Sequence, residues 1–389
     1  MSQNPIVFTF FLVFTGAAIL ATAALAARQS LLVAYIALGI LLGPWGLDLV
    51  GSTSPVADSA QVGIMFLLFL LGLDLTPQDL VRSLRRTTLV TLGSTAALLL
   101  IGGGIARLVG FTPTESLIVG VAMGFSSTII GLKLLPTTVL HHQRMGQAII
   151  SILLLQDLLA IALLLAIQGA AAGTAPWLKM ATLLLTLPAL VVFAGLVARY
   201  VLFRLIRRYD RFREYIFLVA IGWCLGMAEL AGVLGLSHEI GAFIAGVAMA
   251  SSPIAQYIAD SLRPVRDFFL VLFFFAVGTQ FNLAMAPDVL IPALLLTAAA
   301  LLLKPLAFRL LLARTGESKA TAWEIGFRLG QLSEFSLLVA GLALSTGVLG
   351  ARAAYSLQFA TVLTFMLSSY LVILRFPTPI AVTDALRRD

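Results

Sequence analysis

The stretch of the chain that decides the fold is Ile149-Ile150-Ser151-Ile152-Leu153-Leu154-Leu155-Gln156-Asp157-Leu158-Leu159-Ala160-Ile161. Asp157 is the only charged residue between Arg144 and Lys179, and it lies in the middle of an apolar run long enough to cross a bilayer. A carboxylate at bilayer depth costs several kcal/mol, so it is rarely kept without a function. The stretch therefore predicts a transmembrane helix that carries a proton or ion site.

The composition is that of a polytopic membrane protein. Hydrophobic residues make up 60% of the 389 residues, only 11% are charged, and the mean hydropathy is +1.04. Soluble domains carry about 25% charged residues, so a soluble protein is excluded. One cysteine and three histidines predict neither a disulfide framework nor a catalytic metal site. The net charge of +7 comes from basic residues between apolar runs, so no nucleic-acid partner is expected.

Apolar runs of roughly 17–25 residues predict an all-α protein with about 13 transmembrane helices. Their approximate limits are 5–27, 31–44, 60–73, 87–109, 115–134, 146–168, 177–203, 214–230, 237–252, 264–281, 287–312, 321–345 and 354–375. The second, third, fifth and twelfth runs are short or interrupted by glycine. The first run is too long for a signal peptide and lacks a basic residue before it, so it is expected to be a transmembrane helix.

The basic residues predict the orientation in the membrane. Most of the 25 lysines and arginines fall in the loops on one side, and the opposite loops hold only Arg107, Lys179 and Arg352. Two further basic residues, Lys304 and Arg328, fall inside predicted spans. Because cytoplasmic loops collect basic residues, the N-terminus is expected outside and the C-terminus in the cytoplasm.

Two pairs of motifs repeat at one spacing. GFSST (124–128) in the fifth run matches GQLSE (330–334) in the twelfth, and FLLGLDL (69–75) in the third run matches FAVGTQFNL (275–283) in the tenth. Gly124 and Gly330 are as many residues apart as Gly72 and Gly278. We call this common separation along the chain the repeat spacing. Each pair is also seven spans apart, so the two copies face opposite ways across the membrane. This is the inverted repeat of many secondary transporters.

The repeat also predicts where the functional site lies. Polar, glycine-interrupted segments occur at matching positions of the two halves, at 124–131 and 327–334. In inverted-repeat transporters such segments are broken helices that cross near the middle of the membrane. Their free backbone groups need partners, and their ends carry partial charges that a nearby acid and a nearby base balance.

Asp157 is the strongest candidate for the site. The alternative is a structural acid that pairs with a basic residue to hold helices together. As a functional residue it binds a monovalent cation and a proton in turn, which couples their movements because both cannot be held at once. Gln156 is its polar neighbour, and Ser126, Ser127 and Thr128 supply hard oxygen donors for the cation. An equally open alternative is that these three hydroxyls cap the broken helix and do not bind the cation.

Three further residues are expected to compensate charge near the site. Lys304 either extends its ammonium to the membrane surface or is the partner that keeps Asp157 neutral when no cation is bound. Arg328 is expected to compensate the ends of the broken helix. For Glu334, a structural role and a role along the ion path are both open.

Several motifs together resemble the monovalent cation:proton antiporter-2 family, and among its branches the Kef-type potassium:proton antiporters. They are LGPWGL (42–47), FLLGLDL (69–75), FSST (125–128), LQD (155–157), GAFIAG (241–246) and FFFAVG (273–278). The resemblance covers nearly the whole chain in the same order. It implies an inverted-repeat, sodium/proton-antiporter-like fold with two broken crossing helices.

The resemblance further implies a homodimer that works as an elevator. Residues 1–389 would form one transmembrane transporter domain, with scaffold and dimerisation helices at about 5–73 and 214–281. The moving core helices would lie at about 87–168 and 287–375, joined by a linker helix at about 177–203. Membrane lipid is the other expected partner. Kef-type chains usually continue into a cytosolic nucleotide-binding domain, so the regulator is expected on a separate subunit, in a longer chain, or not at all.

The function implied is exchange of a monovalent cation for H⁺ across a bacterial cytoplasmic membrane. In the resembling family, Gln followed by Asp, as at Gln156 and Asp157, accompanies K⁺, and two adjacent acids accompany Na⁺. A Na⁺/H⁺ antiporter is the alternative, and a K⁺ channel is a third possibility from another class. An enzyme is not expected because no nucleophile–base pair is evident, and no cofactor is expected besides the transported K⁺ or Na⁺ and H⁺.

Overall fold

A computed structural model describes residues 5–27, 29, 31–50, 55–73, 77–135, 144–171, 176–236, 238–252 and 254–378. In chain order its α-helices are α1 (Pro5–Ala26), α2 (Leu31–Leu42), α3 (Pro55–Leu73), α4 (Pro77–Leu108), α5 (Pro113–Met123), α6 (Thr128–Lys133), α7 (Arg144–Ala171), α8 (Pro176–Val197), α9 (Phe203–Arg208), α10 (Arg213–Val233), α11 (His238–Met249), α12 (Ala255–Thr279), α13 (Ala286–Arg314), α14 (Lys319–Arg328), α15 (Glu334–Ser345) and α16 (Ala351–Arg375). A π-helical turn, Ala198–Leu202, joins α8 to α9.

The predicted all-helical, multi-pass membrane class is confirmed. Over the described residues, eight helices are long and apolar enough to cross a membrane. They are Ile6–Ala26, Thr87–Leu108, Pro113–Gly131, Met145–Leu164, Leu185–Arg208, Arg213–Val233, Leu283–Arg314 and Ala351–Arg375. Shorter apolar helices occur at Leu31–Leu42, Ile240–Met249 and Glu334–Ser345. The predicted number of about 13 and the orientation of the termini stay predictions, and residues 1–4 and 379–389 lie outside the described part.

The chain divides into two compact units. The first contains Met1–Ala17, Leu38–Val81 and Thr174–Thr279, and the second contains Ala18–Ala37, Arg82–Gly173 and Gln280–Asp389. The predicted assignment of helices to scaffold, core and linker concerns motion and stays a prediction.

Glycines bring helices of the first unit into backbone contact. A Cβ added to Gly246 on α11 would overlap the carbonyl oxygen of Phe69 on α3, and one added to Gly39 on α2 would overlap that of Phe275 on α12. Small residues allow such close approach between membrane helices, whose association gains little from the hydrophobic effect. These crossings therefore depend on the absence of a side chain.

Two helices of the second unit are broken at matching positions. After α5 ends at Met123, α6 begins at Thr128, and after α14 ends at Arg328, α15 begins at Glu334. The two new starts, Thr128 and Glu334, are separated by the repeat spacing found in the sequence.

A serine caps the N-terminus of the helix that follows each break. The Ser127 hydroxyl accepts a hydrogen bond from the backbone N–H of Ile130 (3.1 Å), and the Ser333 hydroxyl accepts one from that of Phe335 (3.1 Å). Ser127 and Ser333 are also separated by the repeat spacing. An N-terminal serine cap satisfies one of the backbone donors that a helix start leaves free, so the same residue type stabilises both restarts.

Unbroken helices carry the remaining site residues. Asp157 lies on α7, and Lys304 lies on α13 directly before Pro305. Gly326 on α14 allows a close approach to α13, because a Cβ there would meet the backbone of Pro305. This contact places the end of α14, where the second break begins, beside Lys304.

Candidate functional site

All the residues predicted for the site are buried in the second unit, each with at most 4% of its surface exposed. They are Ser126, Ser127, Thr128, Gln156, Asp157, Lys304, Arg328 and Glu334. The structure brings seven of them to the two breaks, and it places Arg328 at neighbouring helix ends. Their roles in binding stay predictions.

Asp157 faces the start of α6. Its Oδ2 accepts a hydrogen bond from the Thr128 hydroxyl (3.0 Å). Its Oδ1 is buried and has no hydrogen-bond partner among the described residues. A buried carboxylate oxygen without a donor is costly, so this atom is suited to receive a proton or a cation.

Glu334 supplies a second carboxylate at the same place. It is the first residue of α15, and it interacts with its own backbone N–H, the Ser127 hydroxyl and the backbone N–H groups of Thr128 and Ile129. The helix N-terminus at each break is thus directed at this side chain, and such ends favour negative charge. Glu334 also acts electrostatically on Asp157, and its Oε2, like Asp157 Oδ1, is buried without a partner among the described residues.

Lys304 lies at the C-terminal ends of α5 and α14, whereas Glu334 lies at the N-terminal ends of α6 and α15. Its ammonium donates to the carbonyl oxygens of Phe125 and Gln331, the latter at 2.8 Å. Phe125 and Gln331 are separated by the repeat spacing, so one side chain serves the equivalent atom of both breaks. Helix C-termini favour positive charge, which fits the predicted charge-compensating role.

The structure does not show the pairing of Lys304 with Asp157 that the sequence suggested. No ion pair within 4.0 Å joins these two side chains, both of which the structure describes. The physical reason is the break itself, because the carbonyls there have lost their helical partners and need donors inside the membrane. Lys304 is also fully buried, so its ammonium is not exposed at the surface of the protein.

Gln156 and Ser126 hold the first break in shape. Gln156 Oε1 accepts from the backbone N–H of Ser126 (3.0 Å), and Gln156 Nε2 donates to the carbonyl oxygen of Gly124 (2.8 Å). The Ser126 hydroxyl crosses to the second break and donates to the carbonyl oxygen of Leu329 (2.9 Å). Of the three hydroxyls left open by the sequence, that of Ser126 supports the backbone and that of Thr128 reaches Asp157. The Ser127 hydroxyl both caps α6 and interacts with Glu334.

Sequence reasoning missed several polar contacts of the second break. Gln331 Nε2 donates to the carbonyl oxygen of Ser127 (3.4 Å), and its Oε1 accepts from the Ser368 hydroxyl (3.0 Å). The Thr364 hydroxyl accepts from the backbone N–H of Leu332 (3.0 Å). Thr364 and Ser368 stand one helical turn apart on the same face of α16, which is the signal that the sequence contained.

Arg328 compensates helix ends away from the two carboxylates. Its guanidinium donates to the carbonyl oxygens of Leu134, just past α6, and Pro377, just past α16, at 2.9 and 2.8 Å. It also forms an ion pair with Glu324 at 2.7 Å. Glu324, one turn earlier on the same helix, was a signal that sequence reasoning overlooked.

The charges at the breaks add up to a simple chemical property. With all groups ionised, Asp157 and Glu334 carry two negative charges and Lys304 one positive charge, while the Arg328–Glu324 pair is neutral by itself. One proton or one monovalent cation neutralises the remaining charge. Over the described residues, no group of three His, Cys, Asp or Glu side chains suits a more highly charged metal ion.

Comparisons with known proteins identify the family of the chain. The model of the family described as sodium/hydrogen exchanger, transmembrane, matches residues 10–374. The glutathione-regulated potassium-efflux system protein KefC of Escherichia coli O81 (strain ED1a) is 30% identical over 350 residues, which are 87% of this chain and 56% of that protein. The protein of the same name from Klebsiella pneumoniae (strain 342) is 30% identical over 375 residues, or 93% of this chain and 59% of its own. The chain thus spans little more than half the length of these relatives.

A solved structure shows the fold. The sodium proton antiporter MjNhaP1 from Methanocaldococcus jannaschii matches with a TM-score of 0.70, covering 94% of this chain and 95% of that chain at 17% sequence identity. The predicted sodium/proton-antiporter-like fold is therefore confirmed.

Proposed function

The chain belongs to the sodium/hydrogen exchanger family, and from this premise we propose that it exchanges a monovalent cation, most readily K⁺, for H⁺. The proposed location is a bacterial cytoplasmic membrane. The observation that carries the proposal is the pair of buried oxygens without partners among the described residues, Asp157 Oδ1 and Glu334 Oε2, at two breaks whose other ends share the buried ammonium of Lys304.

The charge count explains how exchange is coupled. An excess of one negative charge in a low-dielectric interior is unfavourable, so the site is stable with a proton or with a cation. It is not stable empty, and with both ligands it would carry a net positive charge. If the site crosses the membrane only when it is neutral, it carries one cation in one direction and one proton in the other.

The cation would enter an oxygen-lined site. Asp157 releases its proton and binds the partly dehydrated ion, with Glu334 and Thr128 contributing oxygens and both helix restarts fixed by their serine caps. The whole site lies within the second compact unit. This supports the proposal that the unit moves as one body, in an elevator-type cycle. A homodimer and a separate cytosolic regulatory subunit are part of the same proposal.

The preference for K⁺ has two supports. The order Gln156-Asp157 marks the chain as similar to the Kef-type branch, whichever residues contact the ion, and the relatives of 30% identity are named as potassium-efflux proteins. The solved structure with the same fold is named a sodium proton antiporter, so Na⁺ is the alternative cargo. A fluorescence assay of exchange in proteoliposomes, titrated with K⁺, Na⁺, Rb⁺ and Li⁺, separates the two.

The decisive variant is Asp157→Asn. The amide of asparagine can neither take up a proton at the pH of the assay nor supply the negative charge that binds the cation. Exchange is therefore expected to be lost. Asp260→Asn is the matched control, because Asp260 is an exposed acid whose partners among the described residues lie on its own helix. Wild-type exchange by Asp157→Asn would refute the proposal. Cation current that continues without a proton gradient and without proton movement would indicate a channel instead.

A further inference from the structure

At each break, a side chain from the next long helix holds the same backbone N–H group. In the first break the backbone N–H of Ser126 donates to Gln156 on α7, and in the second that of Leu332 donates to Thr364 on α16, both at 3.0 Å. Ser126 and Leu332 are separated by the repeat spacing, and α7 and α16 each follow the broken helix of their own half. The same backbone donor is thus satisfied twice, by different residue types.

Every polar group of these two side chains already has a backbone partner. The amide of Gln156 uses its oxygen on Ser126 and donates to the carbonyl oxygen of Gly124 (2.8 Å). The Thr364 hydroxyl accepts from Leu332 and donates its hydrogen to the carbonyl oxygen of Thr361 (2.7 Å). Gln156 and Thr364 are both fully buried, so these bonds do not compete with water.

The backbone N–H groups of Ser126 and Leu332 lie close in sequence to the residues that face the proposed cation site. Ser126 lies just before Thr128, whose hydroxyl contacts Asp157. Leu332 lies at the same distance before Glu334, the second carboxylate. Fixing these two N–H groups therefore fixes the residues that face the cation, one on each side of the site.

We infer that Gln156 and Thr364 are a pair of positioning residues, which set the apparent affinity for the cation without touching it. The inference rests on the proposed function and deepens it, because it removes Gln156 from the ligands and leaves discrimination between cations to Asp157, Glu334 and Thr128. When either side chain is lost, a buried N–H loses its partner and the break must be ordered by the cation itself, so binding weakens about tenfold.

The test compares Thr364→Val and Gln156→Met, which keep side-chain volume and remove the hydrogen bonds. KM and kcat are measured for K⁺, Na⁺ and Rb⁺ in proteoliposomes, and the melting temperature is measured in detergent. Both variants are expected to raise KM about tenfold for all three ions with unchanged ratios between them. Thr364→Ser is expected to restore the wild-type KM. Thr361→Val is the matched control, since within the described part of the chain the Thr361 hydroxyl bonds to a carbonyl of its own helix.

Three results would overturn the inference. A changed ratio of K⁺ to Na⁺ affinities in Gln156→Met, with wild-type KM in Thr364→Val, would make Gln156 a ligand. Lower melting temperatures with unchanged KM in both variants would reduce the pair to a role in stability. If the wild-type protein exchanges no cation for protons, the proposed function fails and this inference falls with it. That outcome is seen before any variant is compared.

Discussion

The hydroxyl of Thr128 is expected to set the pH range in which the protein works. It donates a 3.0 Å hydrogen bond to Asp157 Oδ2, and a hydrogen bond to an ionised group contributes about 1.5–3 kcal/mol. Thr128→Val keeps the shape and removes the donor, so the ionised carboxylate loses this stabilisation and holds its proton more tightly. At about 1.4 kcal/mol per pH unit, the midpoint of the exchange profile should move about 1–2 pH units towards alkaline pH.

The measurement is the pH dependence of exchange in proteoliposomes at saturating K⁺. Thr128→Ser keeps the donor and should retain the wild-type midpoint, although it loses a methyl group. Melting temperatures of both variants show whether the break has kept its structure. A wild-type midpoint in Thr128→Val, with wild-type stability, would refute the reasoning, because this hydroxyl would then not contact the ionised carboxylate in the working protein.

Three further variants test other parts of the structure. Glu334→Gln removes the charge excess that a cation neutralises, so KM for K⁺ should rise by at least about tenfold; an unchanged KM would remove this carboxylate from the site. Arg328→Met leaves the buried carbonyl of Leu134 and the half-buried carbonyl of Pro377 without this donor, a loss of about 1–3 kcal/mol for the buried one alone that should lower the melting temperature in detergent far more than the exposed Arg352→Met does. Gly246→Ala forces a Cβ into a backbone carbonyl at a helix crossing and should cost about 1–3 kcal/mol, whereas Gly222→Ala, which meets open space, should melt like the wild type.

The sequence predicted those features that one residue or one spacing makes evident. Asp157 stands out because a charge in an apolar run is costly whatever surrounds it. The breaks could be located because the GFSST and GQLSE motifs repeat at the spacing at which α6 and α15 begin. Both arguments need only the position along the chain; the structure bears out the location of the breaks, and the role of Asp157 in binding stays a prediction.

The partners of the polar side chains could not be predicted in this way. A carboxylate looks like the natural partner of Lys304 until the two carbonyls freed by the breaks are placed next to it. Thr361 and Thr364 are indistinguishable in the sequence, yet one hydroxyl bonds within its own helix and the other holds the second break. Such differences depend on which helix lies opposite, and that is decided by packing of the whole unit.

The position of Lys304 between two equivalent carbonyls bears on how such a protein arises by duplication. Two identical half-length chains related by a twofold axis would place two copies of one side chain there, hence two ammoniums against the same carbonyls or none. One repeat spacing before Lys304 the chain has Leu98, which is also fully buried. Joining both halves in a single gene lets the copies diverge, so that one ammonium serves the equivalent carbonyls of both breaks.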